Sequence, residues 1–186
     1  MKNKKIVIGL VGQIASGKGA ASKYLEKNYK AAVLRFSTML RDILRRLYLK
    51  STRDNLCILS EILRKNFKED VMAKVIAQDV LKSKKKLVVV DGIRRRADIK
   101  YLKKIENFKL IKITVDPKIR YKRLVLRNEN IGDDKKTFKE FLKDQKKEAE
   151  SEVLSVMEQA DIEISNNGSW EDFNKKVKKM IKNIIK

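Results

Sequence analysis

The chain alternates short apolar runs with longer stretches in which apolar residues recur at helical spacing. The short runs are rich in β-branched residues and end in polar turns, which is typical of buried parallel strands. We expect strands at 6–11, 31–36, 87–90, 108–115 and 161–165. The intervening patterns predict helices at about 17–28, from 37, over 56–80 with an interruption at 66–70, and then at 97–105, 119–127, from 137, at 153–159 and from 169.

Strands that alternate with helices predict a parallel sheet covered by helices on both faces. In such sheets, ligands bind beyond the carboxyl ends of the strands. The segments to consider are therefore 12–19, 37–41, 91–96 and Asp116. The chain has 186 residues and no internal repeat or linker, so we expect residues 1–186 to form a single domain with a sizeable core.

Several helix starts carry capping residues. Ser37 and Ser169 each precede a helical pattern and can accept hydrogen bonds from its first turn. Thr137 with Glu140 predicts a capping box. Asp116 followed by the chain's one proline is also typical of a helix start.

Residues 12–19 read Gly-Gln-Ile-Ala-Ser-Gly-Lys-Gly and follow the first apolar run. The spacing G-x-x-x-x-G-K between a strand and a helix is that of a phosphate-binding loop, in which backbone N–H groups and the helix N-terminus face the anion. A glycine-rich turn without a ligand would need neither Lys18 nor a second glycine. We therefore expect ATP as cofactor, bound by Gly12, Ile14, Ala15, Ser16, Gly17, Lys18, Gly19 and Ala20.

A second candidate site follows the run 87–90. Asp91 stands where an acidic residue at a strand end holds Mg²⁺ beside a phosphate loop, often through water. The alternative is that Asp91 caps the next helix. Arg94, Arg95 and Arg96 follow at once, and at least one of them could face the phosphates.

Composition narrows the class of protein. An apolar fraction of 42% is ordinary for a soluble globular protein, and no run approaches the length of a membrane span. The chain has a single cysteine, Cys57, which excludes an internal disulfide and suits a reducing cytoplasm. The apolar neighbours of Cys57 predict that its side chain is buried. We also assign Phe67 to the core. The absence of histidine removes the commonest general base.

The formal net charge of +22 invites a nucleic-acid interpretation. The lysines, however, are spread along the chain at 83–86, 103–104, 135–136, 146–147 and 175–179, and no aromatic residues alternate with them to stack on bases. General surface charge is the favoured interpretation, with nucleic-acid binding kept as an alternative.

These residues together resemble the nucleoside monophosphate kinase branch of P-loop proteins. Gly17-Lys18-Gly19 is similar to the loop of adenylate kinases, and 37–41 resembles the segment with which those kinases bind the monophosphate. Residues 91–94, 133–134 and 138–144 are most similar to a less characterised group of archaeal adenylate-kinase-like, dephospho-CoA-kinase-like and deoxynucleotide-kinase-like proteins. The resemblance covers nearly the whole chain.

The resemblance implies a three-layer α/β/α fold with a five-stranded parallel sheet, an acceptor-binding helical segment at about 37–82 and a small helical lid at about 119–150. It implies ATP- and Mg²⁺-dependent phosphoryl transfer to a nucleoside or deoxynucleoside monophosphate. The catalytic residues would be Lys18, Arg94, Arg123 and Arg127, with Asp91 at the metal. The acceptor would contact Ser37, Thr38, Arg41, Arg64 and Arg94, although Arg64 could equally face solvent.

Two departures from the resemblance matter. Gly19 and Ala20 leave no hydroxyl next to Lys18 to contact Mg²⁺, so water, Asp91 or Ser22 would have to substitute. Dephospho-CoA kinases usually carry an aspartate directly after the second strand, where this chain has 36–38, which favours a monophosphate acceptor. A dephospho-CoA-kinase-like enzyme and a nucleic-acid-associated ATPase remain alternatives. We expect a small phosphorylated partner, no membrane, and a monomer or homodimer.

Overall fold

A computed structural model describes residues 5–127, 134–145 and 148–185. In these ranges the strands form one five-stranded parallel sheet in the order β2-β3-β1-β4-β5. The strands are β1 (Ile6–Val11), β2 (Ala32–Arg35), β3 (Leu87–Asp91), β4 (Phe108–Thr114) and β5 (Ile162–Ser165). The predicted α/β class and parallel sheet are confirmed.

Helices connect consecutive strands. They are α1 (Lys18–Tyr29), α2 (Phe36–Arg46), α3 (Arg53–Asn66), α4 (Val71–Lys82), α5 (Arg96–Ile99), α6 (Pro117–Arg127), α7 (Phe138–Asp144), α8 (Glu148–Met157) and α9 (Trp170–Ile185), with a short 3₁₀ helix at Leu102–Lys104. Within the described ranges, none of them has the length and apolar character needed to cross a membrane.

Two apolar clusters, one on each face of the sheet, make the three layers. Val7 and Val11 of β1 pack in one cluster with α2, α4 and α8, whereas Ile8 and Leu10 pack in the other with α1 and α9. This alternation follows from the two-residue period of a strand. Because β1 pairs with β3 on one side and β4 on the other, the residues after β1 lie at the centre of the sheet.

Several element boundaries differ from expectation. The second strand ends at Arg35, and α2 already begins at Phe36, so Ser37 lies inside the helix and is not its cap. The predicted helix 97–105 is instead α5 followed by the 3₁₀ turn. The helix predicted at 153–159 begins earlier, at Glu148. Residues 128–133 and 146–147 of the lid expected at about 119–150, including Asp133 of the resemblance, lie outside the described residues.

Two expectations about burial are wrong. Cys57 is an exposed free cysteine on α3, and Phe67, directly after α3, is 67% exposed. Cys57 was expected to be buried because of its apolar neighbours, and Phe67 because it continues the amphipathic pattern. In α3, however, the hydrophobic residues packed against the core are Leu56, Leu59 and Leu63. α3 packs against the core through one narrow stripe of its surface, and apolar residues outside that stripe remain exposed to solvent.

Gly9 offers a test of this packing. A Cβ atom at Gly9 would lie 2.8 Å from Ile93 Cδ1 and 2.9 Å from Phe108 Cζ. We expect Gly9→Ala to lower the free energy of unfolding by about 1–3 kcal/mol, because both neighbours would have to move in a filled core. Denaturant unfolding measures the change. Gly19→Ala is the matched control: a Cβ there meets nothing within 4 Å, and alanine favours a helix over glycine by up to about 1 kcal/mol. Equal destabilisation of both variants would contradict this account.

Candidate functional site

The loop 12–17 leaves β1 at the carboxyl end of the sheet and leads into α1. Gly12 lies so close to its neighbours that a Cβ would be 2.7 Å from both Ile113 O and Ser16 Oγ. Gly17 has a φ of 105°, in the region that favours glycine. Ala15 has a φ of 59°, unusual for alanine and typical of a strained functional turn. The backbone is therefore wound tightly enough for successive N–H groups to face a common ligand.

A buried asparagine holds this loop to the far strand of the sheet. Asn166, directly after β5 and 4% exposed, donates its side-chain amide to Ser16 O at 2.9 Å. Its backbone N–H donates to Thr114 O at the end of β4. A Cβ on Gly17 would clash with the same Asn166 amide. The loop, β4 and β5 are thus fixed to one another through Asn166.

Lys18 folds back onto the loop that it follows. Its ammonium donates to Gly12 O at 2.5 Å and to Gln13 O at 3.1 Å. Both partners are backbone carbonyls at the entrance of the loop, so the charge lies at the mouth of the predicted phosphate site. Phosphate oxygens could take over donors now directed at these carbonyls.

The hydroxyl groups near Lys18 are not arranged as expected. Ser22 is fully buried and donates to Lys18 O at 3.1 Å, so its lone pairs remain available but its oxygen is not accessible from the surface in this conformation. Ser16 Oγ is buried and has no hydrogen-bond partner in the described part of the chain. Gly19 is exposed, and the space where its side chain would lie is empty. A hydroxyl could be accommodated there.

Asp91 closes β3 and lies in register with Arg35 of β2. Its Oδ2 atom lies 3.4 Å from Arg35 Nε, and its side chain is only 12% exposed. No group of three or more potential metal ligands occurs within the described residues. One carboxylate next to a phosphate loop nevertheless fits Mg²⁺, which keeps several waters and is commonly held by one or two carboxylates together with substrate phosphates.

Arg94 is exposed, and its side chain has no partner among the described residues, whereas Arg95 and Arg96 are bonded to Glu69 and Ser155. The backbone N–H groups of Arg94 and Arg95 both donate to Asp98 Oδ2 at 3.0 Å. The buried carboxylate of Asp98 therefore fixes the backbone of the loop after β3.

Arg64 supports this loop from α3. Its side chain is 9% exposed and lies 3.1 Å from both Asp98 Oδ1 and Glu69 Oε1. Because both carboxylates hold its guanidinium, Arg64 stabilises the conformation of the loop after β3. Arg64 was predicted to contact the acceptor; in the structure its direct contacts are with Asp98 and Glu69.

The segment predicted to bind the acceptor contains a cavity. It is an open surface cavity of about 520 Å³, and all of its lining residues are exposed: Thr38, Arg41, Asp42, Arg45, Tyr48, Leu49 and Ser51. Two of these, Thr38 and Arg41, are predicted acceptor residues. Ser37 lies beside the cavity and accepts a hydrogen bond from Arg41 at 2.6 Å. Arg45 is paired with Asp42, but both side chains are more than half exposed, so the pair contributes little to stability.

A buried arginine connects the predicted lid to the phosphate loop. Arg120 of α6 is 2% exposed and donates to Gln145 Oε1 at 2.7 Å and to Val115 O at 3.2 Å. Gln145 Oε1 also accepts from Gln13 Nε2 of the phosphate loop at 3.1 Å. The Arg120 guanidinium lies 5.4 Å above the ring of Phe141 in α7. The α6–α7 pair is therefore in direct contact with residues 12–17.

Arg123 and Arg127 follow on the same helix. Arg123 Nη1 is buried without a hydrogen-bond partner in the described ranges, and burial lowers the pKa of this guanidinium. A buried donor of this kind is costly until an acceptor is present, and an anionic oxygen would satisfy it. Arg127 is exposed at the last residue of α6.

Sequence reasoning missed Arg35, Asp98, Arg120, Gln145 and Asn166. Arg120 shares a face with Arg123 and Arg127, and this spacing was visible in the sequence, but its burial was not. Arg35 was not recognised as a strand-end residue because the second strand was predicted to continue to Phe36. Asp98 and Asn166 act through backbone atoms of distant segments, a role that spacing along the chain does not indicate.

Comparison with known proteins places the chain in a family. The family described as an AAA domain, AAA_18, matches residues 8–160. A UPF0200 protein of Sulfurisphaera tokodaii is 29% identical over 182 residues, covering 96% of this chain and 97% of the relative. A UPF0200 protein of Methanoregula boonei is 31% identical over 176 residues, covering 94% and 95%.

The fold is shared with a solved kinase. Shikimate kinase from Bacteroides thetaiotaomicron superposes with a TM-score of 0.63 over 95% of this chain and 98% of that enzyme, at 14% sequence identity. This likeness concerns the fold alone. The chain is a P-loop protein with a kinase-like fold that belongs to the AAA_18 family and to the UPF0200 proteins.

Proposed function

We propose that this protein transfers the γ-phosphoryl group of ATP to a nucleoside or deoxynucleoside monophosphate. The observation that carries the proposal is the arginine-lined cavity on α2, which follows a strand two positions away from the phosphate loop. Two strand spacings are about 10 Å, so a donor phosphate at the loop and an acceptor phosphate near Arg41 would lie at the same end of the sheet.

The acceptor's charge distinguishes this proposal from transfer to a neutral alcohol. Arg41 and Arg45 both line the cavity, and the Arg94 side chain at the neighbouring strand end has no partner in the described part of the chain. Arginine is the residue of choice for phosphate because its planar fork donates two parallel hydrogen bonds. An acceptor that carries a phosphate would be bound there more tightly than an uncharged one.

Positioning and charge stabilisation would supply most of the rate, because phosphoryl transfer has a loose transition state with charge on the moving oxygens. Lys18 would release the carbonyls of Gly12 and Gln13 and bind the outer phosphates. Arg123, whose Nη1 donor has no partner among the described residues, and Arg127 would approach the transferring group. Mg²⁺, held through Asp91 and water, would supply charge neutralisation on the β- and γ-phosphates.

No general base is required in this scheme. A phosphate acceptor oxygen is already anionic, so the absence of histidine is no obstacle. The α6–α7 pair, bonded to the loop through Gln145, would keep water away from the transferring group and limit hydrolysis.

The first test is an ADP-release assay with ATP and Mg²⁺ against ribo- and deoxynucleoside monophosphates, dephospho-CoA, shikimate and RNA. We expect release that depends on one monophosphate and falls by about a hundredfold or more in Lys18→Ala, since a charged group facing the transferring phosphate is lost. If only dephospho-CoA or shikimate supported turnover, the acceptor would not be a nucleoside monophosphate but a molecule of that other class. Release stimulated by RNA alone would overturn the kinase proposal.

The acceptor cavity can be tested separately from the donor site. Arg41→Ala is expected to raise KM for the monophosphate by about ten- to a hundredfold, because a charged hydrogen bond contributes about 1.5–3 kcal/mol, while KM for ATP stays unchanged. Arg46→Ala is the matched control, since Arg46 is an exposed arginine of α2 that does not line the cavity. Equal effects in both variants would place the acceptor elsewhere.

The empty space at Gly19 allows a gain-of-function test. Gly19→Ser would add a hydroxyl directly after Lys18, and we expect the Mg²⁺ concentration for half-maximal activity to fall by up to about tenfold. Gly19→Ala changes the helix in the same way without an oxygen and should leave the Mg²⁺ dependence as in the wild type. If serine and alanine gave the same Mg²⁺ curve, the metal would not lie next to Gly19.

A further inference from the structure

The parallel strands also define a second surface, at the end of the sheet opposite the phosphate loop. We call it the amino end of the sheet. It comprises Lys5, the close of α1 and of α4, the residues that lead into β3, β4 and β5, and the last two turns of α9. These segments are neighbours, because Ile6 N donates to Lys86 O at 2.8 Å and Val7 N to Asn107 O at 3.2 Å.

The fold brings together lysines that are far apart in the sequence. The exposed lysines of the amino end that have no hydrogen-bond or ion-pair partner for their side chains within the described ranges are Lys27, Lys30, Lys82, Lys84, Lys85, Lys86, Lys178, Lys179 and Lys182. α1 and α9 lie side by side on one face of the sheet, so their lysines belong to one surface. The sequence alone suggested a diffuse distribution, because the runs 83–86 and 175–179 are almost a hundred residues apart.

The acidic residues of this surface do not balance the lysines. Glu26, Asp79, Glu106, Glu158 and Asp161 are the carboxylates of its described segments, and Asp161 lies 3.9 Å from a further lysine, Lys109. Excess positive charge therefore remains at the amino end.

Helix ends explain part of this charge. Cations near a helix C-terminus are stabilised by its macrodipole, which accounts for Lys27, Lys82 and Lys182. The run Lys84–Lys86 lies beyond α4, in the connection to β3, where the effect has faded. Three consecutive unpaired lysines at this point have no structural role in the described chain.

We propose that the amino end of the sheet binds the phosphodiester backbone of a double-stranded nucleic acid, independently of base sequence. The sheet is about 19 Å wide at four strand spacings, and a duplex of that length presents about eleven phosphates. The lysines of this surface can therefore contact several phosphates at once and release their counterions.

The surface suits a duplex better than a single strand. Binding of single strands relies on exposed aromatic rings on which bases stack. The large exposed aromatics of the described chain are Tyr48, Phe67 and Trp170, and none belongs to the amino end. Tyr29, at the close of α1, and Tyr101, which lies near this surface, are only partly exposed. The Tyr29 ring lies 6.4 Å from that of Tyr24, and the Tyr101 hydroxyl donates to Asp70. Contacts to phosphate are what the surface offers.

The test uses fluorescently labelled RNA and DNA duplexes of about 20 base pairs, titrated with the full chain between about 50 and 200 mM salt. We expect affinity that falls steeply with salt. The triple variant Lys84→Gln, Lys85→Gln, Lys86→Gln should bind about tenfold or more weakly, and its slope of log affinity against log salt should be shallower by about 2–3, since each lost phosphate contact removes about 0.9. Whichever duplex binds more tightly shows whether this surface prefers the phosphodiester backbone of RNA or of DNA.

The matched control removes the same charge elsewhere. Lys65→Gln, Lys68→Gln, Lys74→Gln changes exposed lysines of the α3–α4 region, outside the amino end, and should bind within about twofold of the wild type. Equal loss in both triple variants would overturn the proposal in favour of diffuse charge. Binding to vesicles that contain anionic lipid, without binding to either duplex, would overturn it in favour of a membrane surface. Circular dichroism and ATP turnover of the two variants, expected to match the wild type, exclude unfolding as the cause.

Discussion

The close approach of Asn166 to the backbone at Ser16 and Gly17 is the constraint on which the site depends. The amide of Asn166 occupies the space that any side chain at residue 17 would need, and it donates to the loop carbonyl beside it. Asn166 follows the last strand, so the loop after the first strand acquires its support only when the sheet is complete. Loss of a buried hydrogen-bond partner of this kind costs about 1–3 kcal/mol. The conformation of the phosphate loop is therefore coupled to the stability of the whole sheet.

The carboxyl end of the sheet draws its charged groups from separate elements, and each is fixed by a different means. Lys18 is held by loop carbonyls, Asp91 by the rigid strand pair that it shares with Arg35, and Arg94 by a loop that Asp98 and Arg64 pin in place. This division fixes the backbone at all three positions, while the Arg94 side chain has no partner among the described residues. Preorganised donors of this kind are what phosphoryl transfer requires.

The sequence predicted the sheet, the phosphate loop and the positions of most helices, because buried parallel strands and glycine-bounded turns leave strong local patterns. It predicted less well whatever depends on distant segments. Cys57 and Phe67 were assigned to the core since an apolar pattern does not reveal how wide a stripe is covered. Ser37 was taken as a cap because the sequence did not show that Phe36 had already entered the helix. The burial of Arg120 arises from its contacts with α7 and Gln145, which no spacing on α6 could indicate.

The opposed directions of strands and helices have an electrostatic consequence. The N-terminus of α1 lies at the phosphate-loop end of the sheet, and its first turn carries no acidic residue, so its dipole adds positive potential there. The first turn of α9 carries Glu171 and Asp172, which offset the positive end of that helix. The negative ends of both helices lie at the opposite end of the sheet, where lysines outnumber carboxylates in the described segments. Of these two neighbouring helices, α1 therefore directs its dipole at an anion in the loop, whereas the lysines near both C-termini compensate the negative ends.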